Sequence, residues 1–273
     1  AKTDALHARN NIFGHEVKPR SDSQASMKVG LIRDISGDMS LFLQYAEGYR
    51  NPNFDEAYNT YTNLAQMYTI IPNPNITAET SEGFEIGLRG SLTNTSWSLA
   101  YYKNDYKDFI AYEYLFPPIQ GVLQVQYQNL GSVETNGIEF ESKTVFNDSF
   151  SASFGVSLNE GREDDGYLDS LSPDHAKISL SWISDSGRLS WNTISTLMKS
   201  SRSILSPVCD RSGVCSPAQE TAGRVTLDTY LNFDLTEKVN IKFGVRNLTD
   251  IKYWDYPTIT GQAAGTADEY LMP

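Results

Sequence analysis

Apolar and polar residues alternate with a period of two through most of the chain. In FSASFGVSLN, Phe150, Ala152, Phe154, Val156 and Leu158 alternate with Ser151, Ser153, Gly155, Ser157 and Asn159. VTLDTYLNFDL sets Val225, Leu227, Leu231 and Phe233 against Thr226, Asp228, Tyr230 and Asn232. VNIKFGVRN sets Val239, Ile241, Phe243 and Val245 against Asn240, Lys242, Gly244 and Arg246, and EGFEIGLRG repeats the pattern with Phe84, Ile86 and Leu88. Successive strand side chains point to opposite faces, so each segment has one apolar and one wet face. No stretch shows a convincing helical stripe.

The connections alternate as well. Short turns, SGD after residue 35, LTNT near 92–95, NDS at 147–149, SDSG at 184–187 and TEK at 236–238, read as tight hairpins. Between them lie long connections at about 50–78, 160–174, 200–222 and 255 onward, with a shorter one, FPPIQG, at 116–121. In an up-and-down antiparallel sheet all short turns fall at one end and all long loops at the other. That is the layout of a transmembrane β-barrel of outer-membrane type. Tyr45, Tyr49, Trp97, Tyr101, Trp182, Trp191 and Trp254 are candidates for interfacial aromatic girdles. A soluble β-sandwich or lipocalin-like barrel also alternates, but its strands are shorter. NTSWSLAYYKNDYKDFIAYEY is expected to stay extended for most of its length. About ten strands are expected, with GVRNLTDIKYWDY rising as the last and nothing returning after it. The polar opening AKTDALHARNN has no signal peptide. These ends predict one domain, residues 1–273, that is part of a larger barrel with at least one unpaired edge.

Composition narrows the function. The hydrophobic fraction, 40 %, is low for a packed soluble core, while 16 tyrosines suit half-wet surfaces. A formal charge of −12 argues against nucleic acid. Cys209 and Cys215 in CDRSGVC are spaced to close a small disulfide loop; a metal site would need further ligands and no His is near. EDDG at 163–166 lacks most of a calcium loop and reads as a solvated acidic turn. No GxSxG elbow or Ser/His/acid set appears, so no enzyme is expected.

Four segments together resemble the C-terminal part of TonB-dependent outer-membrane receptors. YAEGYRNPNFDEAY, NPNITAETSEGFEIGLRG, YQNLGSVETNGIEFES and FGVRNLTDIKYWDY are similar, in that order, to recurrent segments of the family. The resemblance implies an all-β, antiparallel up-and-down transmembrane barrel. This chain would supply about ten of its 22 strands, without the plug domain or the last strand. It implies a monomeric receptor in the bacterial outer membrane, engaging the TonB complex through an N-terminal part. Within the family, the paired boxes look like the FRAP and NPNL boxes of haem and haemoglobin receptors. The first falls on Tyr49, Arg50, Asn51 and Pro52, with Asn51 in place of Ala. The second falls on Asn73, Pro74, Asn75 and Ile76, with Ile76 in place of Leu.

The expected function is therefore active uptake of haem, or haem from haemoglobin-like proteins. A ferric siderophore or another nutrient is the alternative cargo, and a passive porin or adhesin is the alternative class. No resident cofactor or metal is expected; haem would be a transported ligand. No histidine lies between the boxes, so Tyr58, Tyr61 and Tyr68 are candidate phenolate ligands and Met67 a candidate thioether. His7 and His15 lie in the opening segment, and His175 is expected at the rim of a strand.

Overall fold

The computed structural model describes residues 23–129, 131–163, 166–168, 171–201, 207–209, 213–255, 259, 262–265 and 271–272. Its elements begin with β1 (Lys28–Ser36), β2 (Met39–Arg50), α1 (Phe54–Tyr58), β3 (Tyr61–Asn63) and β4 (Tyr68–Ile71). There follow β5 (Glu79–Leu92), β6 (Thr95–Lys107), β7 (Ile110–Ile119), β8 (Val122–Asn129) and β9 (Ser132–Val145). Then come β10 (Phe150–Glu163), β11 (Gly166–Tyr167), β12 (His175–Ile183), β13 (Leu189–Met198), β14 (Val208–Cys209) and β15 (Cys215–Ser216). The last are β16 (Arg224–Thr236), β17 (Val239–Val245), β18 (Tyr253–Trp254) and β19 (Leu271–Met272).

One antiparallel sheet carries the path β1-β2-β5-β6-β9-β10-β12-β13-β16-β17, which is ten strands as expected. Each strand pairs with the next along this path, and β1 and β17 each have one neighbour among the described residues. Among the described residues the sheet is thus open. The short turns all lie at one end and the long connections at the other.

Register turns the sequence alternation into two continuous surfaces. One row runs Leu31, Leu43, Ile86, Tyr101, Ile138, Leu158 across six strands. The next runs Leu41, Leu88, Leu99, Phe140, Val156, Ala176, Leu197, Val225. Many of these side chains are exposed, among them Leu31, Ile86, Leu99, Ile138, Leu158 and Val225. Residues on one face of a sheet that point at no protein core need another apolar phase, as the outer face of a membrane barrel does. The opposite face is wet. Its row Asp34, Ser40, Arg89, Ser98, Glu141, Gly155, Lys177 places a charge of alternating sign on every second strand.

Trp97, Trp182 and Trp191 stand close to the tight turns on the apolar face, with Trp182 directly opposite Trp191. The Trp191 indole N–H donates to Thr229 Oγ1 at 2.8 Å, so its polar edge has a partner beside the apolar band. Tyr45, opposite Phe84, lies toward the long-loop end, whereas Tyr101, opposite Ile86, sits at the middle of β6 and departs from the girdle expectation. Trp254 departs from the expectation: it belongs to the β18–β19 pair, outside the main sheet.

Three other expectations are corrected. The strand through NTSWSLAYYKNDYKDFIAYEY breaks at Asp108, whose φ of 56° ends β6 at Lys107. Residues 110–129 then form a separate hairpin, β7–β8, and FPPIQG is its bend rather than a link between barrel strands. The final segment is not one strand either. β17 stops at Val245, and Asn247 and Asp250 take φ of 50° and 51°. The Asn247 side chain holds this turn by donating to Ile251 O and accepting from Ile251 N. Finally, a short helix, α1, forms where none was expected.

Glycine is required where the wet face is crowded. A Cβ on Gly87 would run into the Phe42 ring and stand 2.6 Å from Leu99 O. The ring covers the bare backbone, as aromatic residues do over glycine in twisted sheets. Gly155 has nothing nearer than Phe140 O at 3.9 Å. In the full-length protein Gly87→Ala is expected to cost about 1–3 kcal/mol through overpacking, while Gly155→Ala is near neutral. Thermal unfolding in detergent, followed by tryptophan fluorescence, checks this; equal midpoints for the two variants would refute it.

Candidate functional site

At the long-loop end, the connections 51–78 and 108–131 fold into one body. Its root is Arg50, the last residue of β2, opposite Glu79, the first of β5. Arg50 Nε and Nη2 donate to the two Glu79 carboxylate oxygens. Its Nη1 donates to both oxygens of Glu56 at 2.9 Å. Glu79 Oε1 also accepts the Ile110 backbone N–H at 2.8 Å, which ties the second loop to the first.

Glu56 reaches Arg50 because α1 is capped. Asn53 Oδ1 accepts from Glu56 N, and Glu56 Oε2 accepts from Asn53 N, each at 2.8 Å. This reciprocal capping box satisfies two donors that a helix start otherwise leaves free. α1 turns its buried Ala57 onto Ile76 and Ile110, and Tyr58 and Tyr127 pack against that cluster.

A second set of bonds joins the two loops farther out. Asn73 Nδ2 donates to Tyr127 O at 2.8 Å, and Gln126 Nε2 donates to Pro72 O at 2.9 Å. Asn129 Nδ2 donates to Thr77 O and Asp108 O, and its Oδ1 accepts from Thr77 N at 2.8 Å. The NPN box is thus bonded to the YQN segment of the other loop. Backbone pairing completes the union. β4 runs parallel to β8, giving a four-stranded sheet in the order β3-β4-β8-β7.

The candidate residues separate into two groups. Tyr49, Arg50, Asn51, Pro52 and Asn73 hold the loops: Tyr49 Oη donates to Asn51 Oδ1, and Pro52 is buried. Asn75 N donates to Asn73 Oδ1 at 3.2 Å and Pro74 completes that bend. Tyr58 is half-buried against the α1 cluster. Tyr61 and Tyr68 lie on the β3–β4 hairpin with ring centroids 6.0 Å apart; Tyr61 is exposed and Tyr68 half-buried. Glu56, Glu79, Ile110, Tyr127 and Asn129 belong to the same body and were not singled out from the sequence. The spacing Asn53-x-x-Glu56 was the one available signal, as a capping box.

Elsewhere, Cys209 and Cys215 face each other across β14–β15 and their sulfurs are bonded. His175 opens β12 with its Nδ1 3.2 Å from Pro173 O. His7, His15 and the Asp164–Asp165 part of EDDG lie outside the described residues. Among the described residues no three His, Cys, Asp or Glu side chains converge to hold a metal ion.

Burial pushes the Glu79 carboxyl up, but Arg50 and the Ile110 amide outweigh this, and its pKa lies below the ordinary value. The pair stands beyond Glu47 and Glu82, which oppose each other on the outward face and mark the end of the apolar band. Burial also pushes the Tyr127 phenol up, assisted by Tyr112, whose ring stacks on it at 3.8 Å.

The family described as TonB dependent receptor-like, beta-barrel, matches residues 3–248, and the chain belongs to that family. It is 25 % identical over 254 residues to the Haemophilus influenzae protein named probable hemoglobin and hemoglobin-haptoglobin-binding protein 4. That match covers 84 % of this chain and 25 % of the relative. A second Haemophilus influenzae relative, probable hemoglobin and hemoglobin-haptoglobin-binding protein 3, is 30 % identical over 139 residues, 49 % of this chain and 13 % of the relative. The chain thus spans a quarter or less of the length of these relatives. Among solved structures, the copper transporter OprC superposes with a TM-score of 0.69 at 17 % identity, covering 87 % of this chain and 35 % of that one. That likeness concerns the fold.

Because the folded pKa of Glu79 is depressed, its stabilising contribution is present above the unfolded value, near 4.5. It is lost as pH falls through the lower folded value. Hydrogen exchange at Ile110, corrected for intrinsic rate, is expected to stay protected down to about pH 5 and to rise below it. Glu79→Ala, which removes the acceptor altogether, should expose the same amide at neutral pH, a loss of about 1–3 kcal/mol. Unchanged protection in this variant would sink the assignment of Glu79 as the tie between the loops.

Proposed function

We propose that the full-length protein is a TonB-dependent receptor of the bacterial outer membrane that takes up haem from haemoglobin-like proteins. The observation that carries this reading is the 84 % of the chain aligned with a protein named for hemoglobin and hemoglobin-haptoglobin binding. The sequence boxes agree with it. The apolar band supports insertion in a lipid bilayer, and the long-loop end is then the external face. No covalent chemistry is needed. External loops capture the carrier, and energy from the inner membrane, delivered by the TonB complex, drives passage through the barrel.

In this scheme the box residues act by shape. Arg50, Asn73 and Asn129 fasten two loops into a rigid body, so capture does not have to order a floppy segment at the moment of binding. Receptors with siderophore or copper cargo share the fold but align at 17–19 % identity, which does not argue for their cargo here.

The test is growth of an iron-starved host carrying the full-length receptor, with haemoglobin as sole iron source. Growth is expected with the wild-type gene. It should be lost on deletion of residues 54–71, with surface expression confirmed by antibody labelling. Growth on ferric siderophores but not on haemoglobin would transfer the reading to the siderophore cargo.

A further inference from the structure

The four-stranded sheet at the external end has two faces of different chemistry. Register puts Tyr61, Ile70, Val125 and Tyr114 in one row, Tyr68 and Leu123 in the next, and Tyr112 beside Tyr127 on the same side. The other face is more polar, with Thr62, Thr69, Gln124, Gln126, Gln128 and Glu113 beside Ile71, Ala111 and Leu115. On the tyrosine side Leu123 and Val125 are 4 % and 7 % exposed, while Tyr114 is 61 % and Tyr61 50 % exposed. The aliphatic residues form a floor and the aromatic rings stand above it. Tyrosine offers a large contact area with few rotors and a polar tip, which is the composition of protein-binding surfaces.

Charge decides what this surface fits. Residues 51–78 and 108–131, the whole of both loops, contain Asp55, Glu56, Asp108 and Glu113 and no Lys, Arg or His. The cation at their root, Arg50, is engaged by Glu56 and Glu79. Asp55 lies close enough to Tyr127 to disfavour its phenolate. A free tetrapyrrole brings carboxylates, and these would find no cation on this face and Asp55 near Tyr127; for its iron the face offers tyrosines but neither histidine nor cysteine. A protein surface that mixes apolar residues with lysines or arginines is complementary on both counts.

We propose that the tyrosine face of the β3-β4-β8-β7 sheet docks the polypeptide of the haem carrier, through a cationic and apolar patch, and does not bind free haem. This rests on the function proposed above and assigns one surface within it.

The experiment uses the full-length receptor in detergent, with human haemoglobin, its haem-free globin and haemin as three separate probes. Wild type is expected to bind haemoglobin and globin within about threefold of each other. Tyr61→Ser with Tyr114→Ser should weaken both by at least about tenfold, the loss of two aromatic anchors. Haemin binding, followed by the Soret band, should not change. Asp55→Asn, which removes the carboxylate near Tyr127 and leaves the aliphatic floor and the rings in place, should weaken globin binding and flatten its dependence on salt. Globin binding untouched by either variant overturns the assignment while leaving the uptake function standing. So does loss of haemin binding in parallel with globin. A wild-type receptor that binds neither haemoglobin nor globin overturns both.

Discussion

A strand that crosses an apolar layer must pair its backbone on both sides, because nothing in that layer can accept or donate in place of a neighbour. Each unpaired group costs several kcal/mol. That requirement orders this protein. It makes ten strands join in sequence order, keeps the register continuous, and leaves short turns at one end. Because successive side chains alternate, one register serves two solvents at once. The row from Leu31 to Leu158 faces outward, and the row from Asp34 to Lys177 faces the wet side.

The same requirement forces the long connections away from the apolar band, where they must satisfy their polar groups by themselves. Two of them do so together. Arg50 and Glu79 stand at the foot of one loop, and the spare capacity of the Glu79 carboxylate accepts an amide of the other. Asn73 and Asn129 repeat the device farther out, each using an amide side chain to close backbone groups across the gap. Parallel pairing of β4 with β8 then builds a sheet from strands that are separated by two barrel strands in the chain. The segments similar to the family are in this sense fasteners for one another: YR to TAE, NPN to YQN. Those fasteners hold up the four-stranded sheet and its tyrosine face.

Much of this was legible from residues. Period-two alternation gave the strands, and the regular succession of short and long connections gave their order. Those signals are local, since the pleat dictates side-chain direction and a tight turn needs only three or four suitable residues. The failures have equally local causes. The strand through Tyr106 and Tyr112 looks continuous because β-formers lie on both sides of Asp108, and the break depends on a left-handed residue stabilised by tertiary context. Asp108 O is held by Asn129, 21 residues away. α1 escaped notice because five residues are too few for a periodic stripe, although Asn53 and Glu56 announced its start.

What the sequence determined by itself is therefore the barrel wall: which segments are strands, which face of each is apolar, and that neighbours in sequence are neighbours in space. What only the tertiary structure decided is the external end. There Tyr49, Arg50, Asn51, Pro52 and Asn73 serve as loop fastenings, whereas Tyr61 and Tyr114 stay exposed. The physical reason is range. A pleat and a hairpin are read from adjacent residues, but the role of Arg50 depends on Glu79, and that of Asn73 on Tyr127. Such partners meet only after the sheet has brought two distant loops to the same edge.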